Sequence, residues 1–163
     1  MGQDSRPRWL TDEEQRVWRG YLRATRLVED HLDRRLQREA DMPHLYYGLL
    51  VQLSEAPRRG IRMTDLARNA KITRPRLSHA ITRLEKLGWV RRESCHGDRR
   101  GQNAVLTEEG REVLEKSAPG HVAAVRAAVF DSLTPEQVGQ LGRICQAIEK
   151  GLDREGADLP WLR

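Results

Sequence analysis

The sequence predicts a mostly α-helical α+β fold, and three patterns carry that prediction. Apolar residues recur every three or four positions through most of the first 55 residues and again after residue 107. Capping signals stand at the heads of these stretches. Between them, Trp89 to Glu93 and Gln102 to Leu106 read as extended runs around a loop with Gly97 and Gly101, the pattern of a β-hairpin. A chain of 163 residues can close one core, but 38% hydrophobic residues is below the globular average. Part of the burial is therefore expected between two copies.

Thr11-Asp12-Glu13-Glu14 has capping-box spacing and opens the stripe Val17, Tyr21, Ala24, Val28, Leu32, Leu36, a long amphipathic helix ended by Asp41-Met42-Pro43. Trp18, Leu22 and Leu27 widen that stripe beyond what one neighbour covers. A second helix is expected over His44 to Glu55, with Leu45, Leu49, Leu50 and Leu53 inward and Pro57 as its stop. Thr64 is expected to cap a short helix from Asp65 to Ala70, and after Lys71-Ile72-Thr73 another runs from about Pro75 to Leu87, ending at Gly88. Proline disfavours helical geometry at the residue before it, which puts Arg74 at the N-cap, although Thr73 has the better capping side chain. Two short helices and a tight turn form a helix-turn-helix, and the hairpin of residues 89–106 follows it as a wing.

Thr107 starts a further helix that Pro119-Gly120 is expected to bend before Val122, Val125, Val129 and Leu133 resume its stripe. Thr134-Pro135-Glu136-Gln137 joins a capping box to a proline at the first helical position. The last helix then presents Val138, Leu141, Ile144, Ile148 and Leu152. The expected organisation is an N-terminal dimerisation helix (1–43), a winged helix-turn-helix lobe (44–110) and C-terminal dimerisation helices (111–163).

Charge is distributed unevenly. Residues 58–100 carry 13 Lys/Arg against 4 Asp/Glu, or +9, so the rest of the chain is −4 out of the total of +5. A cationic block in an otherwise acidic chain points to a polyanion partner. On a helical wheel of residues 75–87, Leu77, Ala80, Ile81, Leu84 and Leu87 fall on one side. Pro75, Ser78, His79, Thr82 and Lys86 fall opposite, flanked by Arg76 and Arg83. Short polar groups near the start of such a helix reach base edges in a major groove, and the longer cations reach phosphate. Thr73 and Arg74 at its entry complete the predicted reading face. The loop with Arg91, Arg92, His96, Arg99 and Arg100 is expected to touch the flanking backbone, with a guanidinium entering the minor groove and Asp98 pairing with Arg100 or a neighbouring arginine to fix the loop.

Thr64-Asp65-Leu66-Ala67, the run from Leu77 to Arg92, Asp98-Arg99-Arg100 and Val105-Leu106-Thr107-Glu108-Glu109-Gly110 together resemble the MarR family of winged helix-turn-helix regulators. The resemblance is close over about residues 64–110, and the helical order extends it over nearly the whole chain. It implies a homodimer built by the terminal helices, with one lobe per protomer on a pseudo-palindromic double-stranded DNA operator. It also implies a repressor, released in many members by a small phenolic or anionic ligand between the dimer region and the lobe. Asp98 and Arg100 match the family's Asp-x-Arg wing signature, with Arg100 the minor-groove residue. Arg74-Pro75-Arg76 replaces the small Ser/Thr residues common at that helix entry, which bears on the operator sequence rather than the mode of binding.

Other functions find little support. There is no Gly-rich phosphate loop, H-E-x-x-H or C-x-x-C, so neither an enzyme nor a cofactor is expected. The histidines at 31, 44, 79, 96 and 121 are scattered, and no metal site is expected. Cys95 reads as an incidental loop cysteine and Cys145, beside Ile144 and Ile148, as a small buried one. Trp18, Tyr21, Met42, Tyr46 and Tyr47 are the candidate lining of an effector pocket, since aromatics with a polar edge suit phenolic ligands. No run approaches the ~20 apolar residues that cross a bilayer, and the first eight residues lack a secretory apolar region, so the cytoplasm is the expected location. The competing readings are a nonspecific architectural DNA binder and a protein-binding winged helix.

Overall fold

The computed structural model describes residues 7–95 and 98–153, the side chains of residues 95, 98–100 and 153 excepted. Thr11 starts the first helix, α1 (Asp12–Ala40), as the capping box requires: its Oγ1 accepts from the Glu14 amide at 3.2 Å, and its own amide donates to Glu14 Oε2 at 2.8 Å. These bonds to the charged form hold the Glu14 carboxyl below the usual carboxylate range. Asp41, with φ of 47°, ends the helix in a left-handed turn. Only Leu32 and Leu36 of α1 are buried, while Val17, Trp18, Tyr21 and Leu27 are at least half exposed. Among the described residues, the apolar stripe anticipated for α1 is thus left largely uncovered towards its N-terminal end.

Helix α2 (His44–Ser54) buries Tyr47, Leu49, Leu50 and Leu53. A strand that the sequence did not announce, β1 (Ile61–Arg62), follows. It enters through Gly60, whose φ is +71° and where a Cβ would collide with the Ala104 carbonyl. Pairing holds Arg62 extended, so α3 (Met63–Asn69) begins at once and Thr64 lies inside the helix rather than capping it.

The next helix, α4 (Arg74–Lys86), is capped by Thr73, whose Oγ1 accepts from the Arg76 amide at 3.4 Å. Arg74 is therefore the first helical residue rather than the cap. The hydroxyl's bond to an orphan amide outweighs the restriction from Pro75, which itself occupies a first-turn position where its missing N–H costs nothing. At the far end Trp89 N bonds Leu84 O and Gly88 N bonds Glu85 O, a Schellman closure that needs the φ of +78° at Gly88. Leu87, expected inward, is 42% exposed because it sits at this cap, one residue past the helix.

Strands β2 (Val90–Cys95) and β3 (Asp98–Leu106) form the wing, longer at the tip than the sequence indicated. The antiparallel sheet has the order β1-β3-β2, pairing Val90 with Leu106 and Arg92 with Ala104. Helix α5 (Glu108–Val125), capped by Thr107, runs through Pro119 without ending and packs on α1 and α2. The irregularity expected at Pro119 comes later, as a π-helical turn over Arg126–Phe130. Helix α6 (Pro135–Asp153) begins with the anticipated capping box, Gln137 N to Thr134 Oγ1 at 3.2 Å and Thr134 N to Gln137 Oε1 at 2.9 Å. Its Val138, Leu141, Ile144, Ile148 and Leu152 are 36–55% exposed, and Cys145 is exposed rather than buried because none of the described residues covers that face. The core lies in the lobe, centred on Met42, Leu49, Leu50, Leu66, Leu77, Ile81 and Leu84.

Candidate nucleic-acid interface

Leu77, Ala80, Ile81 and Leu84 anchor α4 in the core, and the 3.6-residue period turns the polar residues between them outward. Thr73, Arg74, Pro75, Arg76, Ser78, His79, Thr82, Arg83 and Lys86 are all exposed. The structure therefore brings the predicted reading residues of this helix onto one surface. Among the described residues, Arg74, Arg76, Arg83 and Lys86 form no ion pair. A cleft of about 420 Å³ separates this helix from the wing, bordered by Arg62, Thr64, Arg74, Ser78, Arg92 and Gln102. An exposed helix face of short polar groups edged by cations offers the donors, acceptors and positive charge that a duplex groove can meet.

The wing is less uniformly cationic than its composition. Arg91 pairs with Glu93 on the outer face of β2 at 2.7 Å. Arg92, expected to touch the backbone of a duplex, turns inward instead: its guanidinium meets Glu85 at 2.5 Å, and its amide donates to the same carboxylate at 3.2 Å. Period-2 alternation explains this, since Arg92 shares the sheet face of buried Val90. That spacing and the acidic Glu85 in the middle of a cationic helix were the available signals. The side chains of Asp98, Arg99 and Arg100, and residues His96 and Gly97, lie outside the described residues, and so does the proposed pairing of Asp98.

The five candidate effector residues do not form one pocket within a single chain. Trp18 and Tyr21 stack at 5.9 Å and line an open apolar groove of about 960 Å³ with Val17, Ile144, Ile148 and Leu152. Met42 and Tyr47 are buried in the lobe core and Tyr46 is packed against it. The intervening length of α1 separates the two groups by roughly 33 Å at 1.5 Å per residue. Tyr47 instead meets the His121 ring at 4.2 Å, and His121 stacks on His44 at 5.5 Å, joining α2 to α5. Burial pushes both imidazoles below their ordinary range; Asp33, which accepts from the His44 amide at 2.8 Å, and Glu29 oppose this at His44, while the His44 charge adds to it at His121. No group of three metal-ligating side chains occurs among the described residues, and no helix among them is long and apolar enough to cross a membrane.

A family model described as the MarR family matches residues 40–101. The chain is similar to Sco3205 of Streptomyces coelicolor, a MarR family transcriptional regulator solved in complex with DNA, at 66% identity and a TM-score of 0.86, covering 98% of this chain and 100% of that one. The chain belongs to the MarR family. A second MarR family regulator from the same organism, AbsC, is 44% identical with a TM-score of 0.81, over 90% of this chain and 99% of that one. The HTH-type transcriptional regulator YkoM of Bacillus subtilis, itself uncharacterized, is 26% identical over 125 residues, 77% of this chain and 79% of that protein. The MarR match falls on the lobe that contains the α4 face, and these relatives are regulators rather than enzymes.

Proposed function

We propose that this MarR-family protein is a sequence-specific double-stranded DNA-binding transcriptional repressor that acts as a homodimer on a pseudo-palindromic operator. The exposed α4 face carries the proposal: Thr73, Arg74, Pro75, Arg76, Ser78, His79, Thr82, Arg83 and Lys86 stand uncovered on a helix whose other side is buried. The DNA complex of the 66%-identical Sco3205 supports the same reading. Arg76 at the helix start reads a base, Lys86 at its end anchors phosphate, and Asp98, Arg99 and Arg100 serve the wing.

The terminal helices, residues 1–43 and 111–163, hold the second copy, while residues 44–110 form the DNA lobe. The apolar groove between α1 and α6, lined by Val17, Trp18, Tyr21, Ile144, Ile148 and Leu152, supports this division. A dimer seated over a promoter excludes polymerase, which makes repression the simplest outcome. Its place of work is the cytoplasm, where a bacterial-type operator is found.

Selection of bound duplexes from a random pool tests the proposal. Enriched half-sites with centres about 10 to 10.5 bp apart, on one face of the duplex, are expected. Equal binding to scrambled DNA would leave a nonspecific architectural protein, and no binding a protein-binding winged helix.

A further inference from the structure

We propose that Arg92 is a positioning residue of the reading face: a strut from the wing to α4 that turns the Thr82 hydroxyl proton away from the guanidinium and toward the duplex. The inference rests on the DNA-binding reading above and adds to it the polarity of one contact.

The strut is defined by four bonds. The Arg92 amide and Nη1 donate to the two oxygens of Glu85 at 3.2 and 2.5 Å. Nη2 donates to the Ser78 carbonyl at 3.2 Å and to Thr82 Oγ1 at 3.1 Å. Ser78, Thr82 and Glu85 follow the i, i+4, i+7 stripe of one helix face, so one guanidinium spans two turns of α4. Both protons of Nη2 are used, and the charge is met by Glu85 in a pair only 21% and 28% exposed. This arginine has little left to offer a phosphate.

The consequence falls on Thr82. A helical threonine commonly returns its hydroxyl proton to the carbonyl four residues back, as Thr25 does to Tyr21 at 3.0 Å in α1. For Thr82 that carbonyl belongs to Ser78, where Arg92 already donates. A hydroxyl has one proton and two lone pairs. With Arg92 on one lone pair, the O–H bond must point away from the guanidinium, and Thr82 is exposed on the face shared with Ser78 and His79. A hydroxyl proton turned outward meets acceptors such as guanine N7 or O6, adenine N7, thymine O4 or a phosphate oxygen, while the second lone pair stays free. Because a strand of the wing holds this helix residue, the wing takes part in base selection without touching that base.

The test combines duplex selection with salt titration of the full-length protein. The charge-neutral double variant Arg92→Gln/Glu85→Gln, Arg92→Lys and Thr82→Val are compared with the parent. All three are expected to relax discrimination at the same operator position, by about fivefold, the worth of one net hydrogen bond. The double variant is expected to keep the parental slope of log affinity against log salt. A slope reduced by ~0.9 for each protomer would make Arg92 a phosphate anchor and overturn the strut. Unchanged discrimination in Thr82→Val, a substitution at an exposed site that removes one of the four bonds and leaves those to Glu85 and Ser78 in place, would overturn the assigned donor even if the arginine variants misfold. A parent that enriches no duplex defeats the DNA-binding reading itself, a result distinct from either.

Discussion

Replacing Ile144 and Ile148 together with alanine is expected to weaken the dimer by roughly 30- to 1,000-fold while leaving each lobe folded. Ile144 is 55% exposed and Ile148 46% exposed, so about half of each side chain remains to be buried by a partner. Complete burial of such a side chain contributes about 1.5–3 kcal/mol, which leaves ~0.7–1.5 kcal/mol for each. Two-fold symmetry doubles two positions into four side chains, and alanine keeps part of the contact, giving a loss of ~2–4 kcal/mol. At 1.4 kcal/mol per decade that yields the stated range. Sedimentation equilibrium measures it directly, with circular dichroism to check helix content. The reasoning fails if the parent is a well-folded monomer at about 10 µM, or if the double variant dissociates no more readily than the parent.

Three further outcomes are expected. Arg76→Ala should relax base preference at one operator position by ~1–3 kcal/mol, whereas Lys86→Ala should weaken all duplexes alike and lower the salt slope by about 1 for each protomer; selection profiles with salt titrations separate the two. Thr73→Ala removes the α4 cap and should cost ~1 kcal/mol of stability in denaturant titrations, with no loss if the 3.4 Å bond to Arg76 N is immaterial. Both His44 and His121 are held below their ordinary imidazole range, so the unfolded chain takes up protons first. Stability should therefore fall as the pH drops below about 6.5 and level off once it passes the folded-state values. His121→Gln should flatten this dependence in melts between pH 8 and 5, and an identical profile would remove the pair from the account.

Most of the helical order was legible because local chemistry decides it. Thr11 with Glu14 and Thr134 with Gln137 announce helix starts that tertiary contacts do not override, and the apolar positions of α4 follow one period from Leu77 to Leu84. The strand Ile61–Arg62 was not legible, since two residues cannot display alternation and the pairing partner lies some forty residues on. Thr64 misled for the same reason: a good capping residue was displaced by a strand invisible to local pattern. The reading face emerged from the wheel, but the inward turn of Arg92 did not, because charge counting treats every arginine as solvent-facing. Aromatic residues suggested one pocket, yet a long straight helix carries Trp18 and Tyr21 far from Met42.

The junction between the lobe and α5 is tight. Thr107 donates from Oγ1 to the Gly88 carbonyl at 2.6 Å and from its amide to the Trp89 carbonyl at 3.1 Å, and Gly110 lies where any Cβ would strike that same Trp89 carbonyl. This knot fixes the direction of α4, which is ~20 Å long at 1.5 Å per residue. A 10° rotation about it sweeps the far end of the helix by ~3.5 Å, about one base-pair step of 3.4 Å. In the proposed dimer, a tilt of that size would set one protomer's helix about a base-pair step away from its half-site, and a Cβ at Gly110 would force the junction to shift.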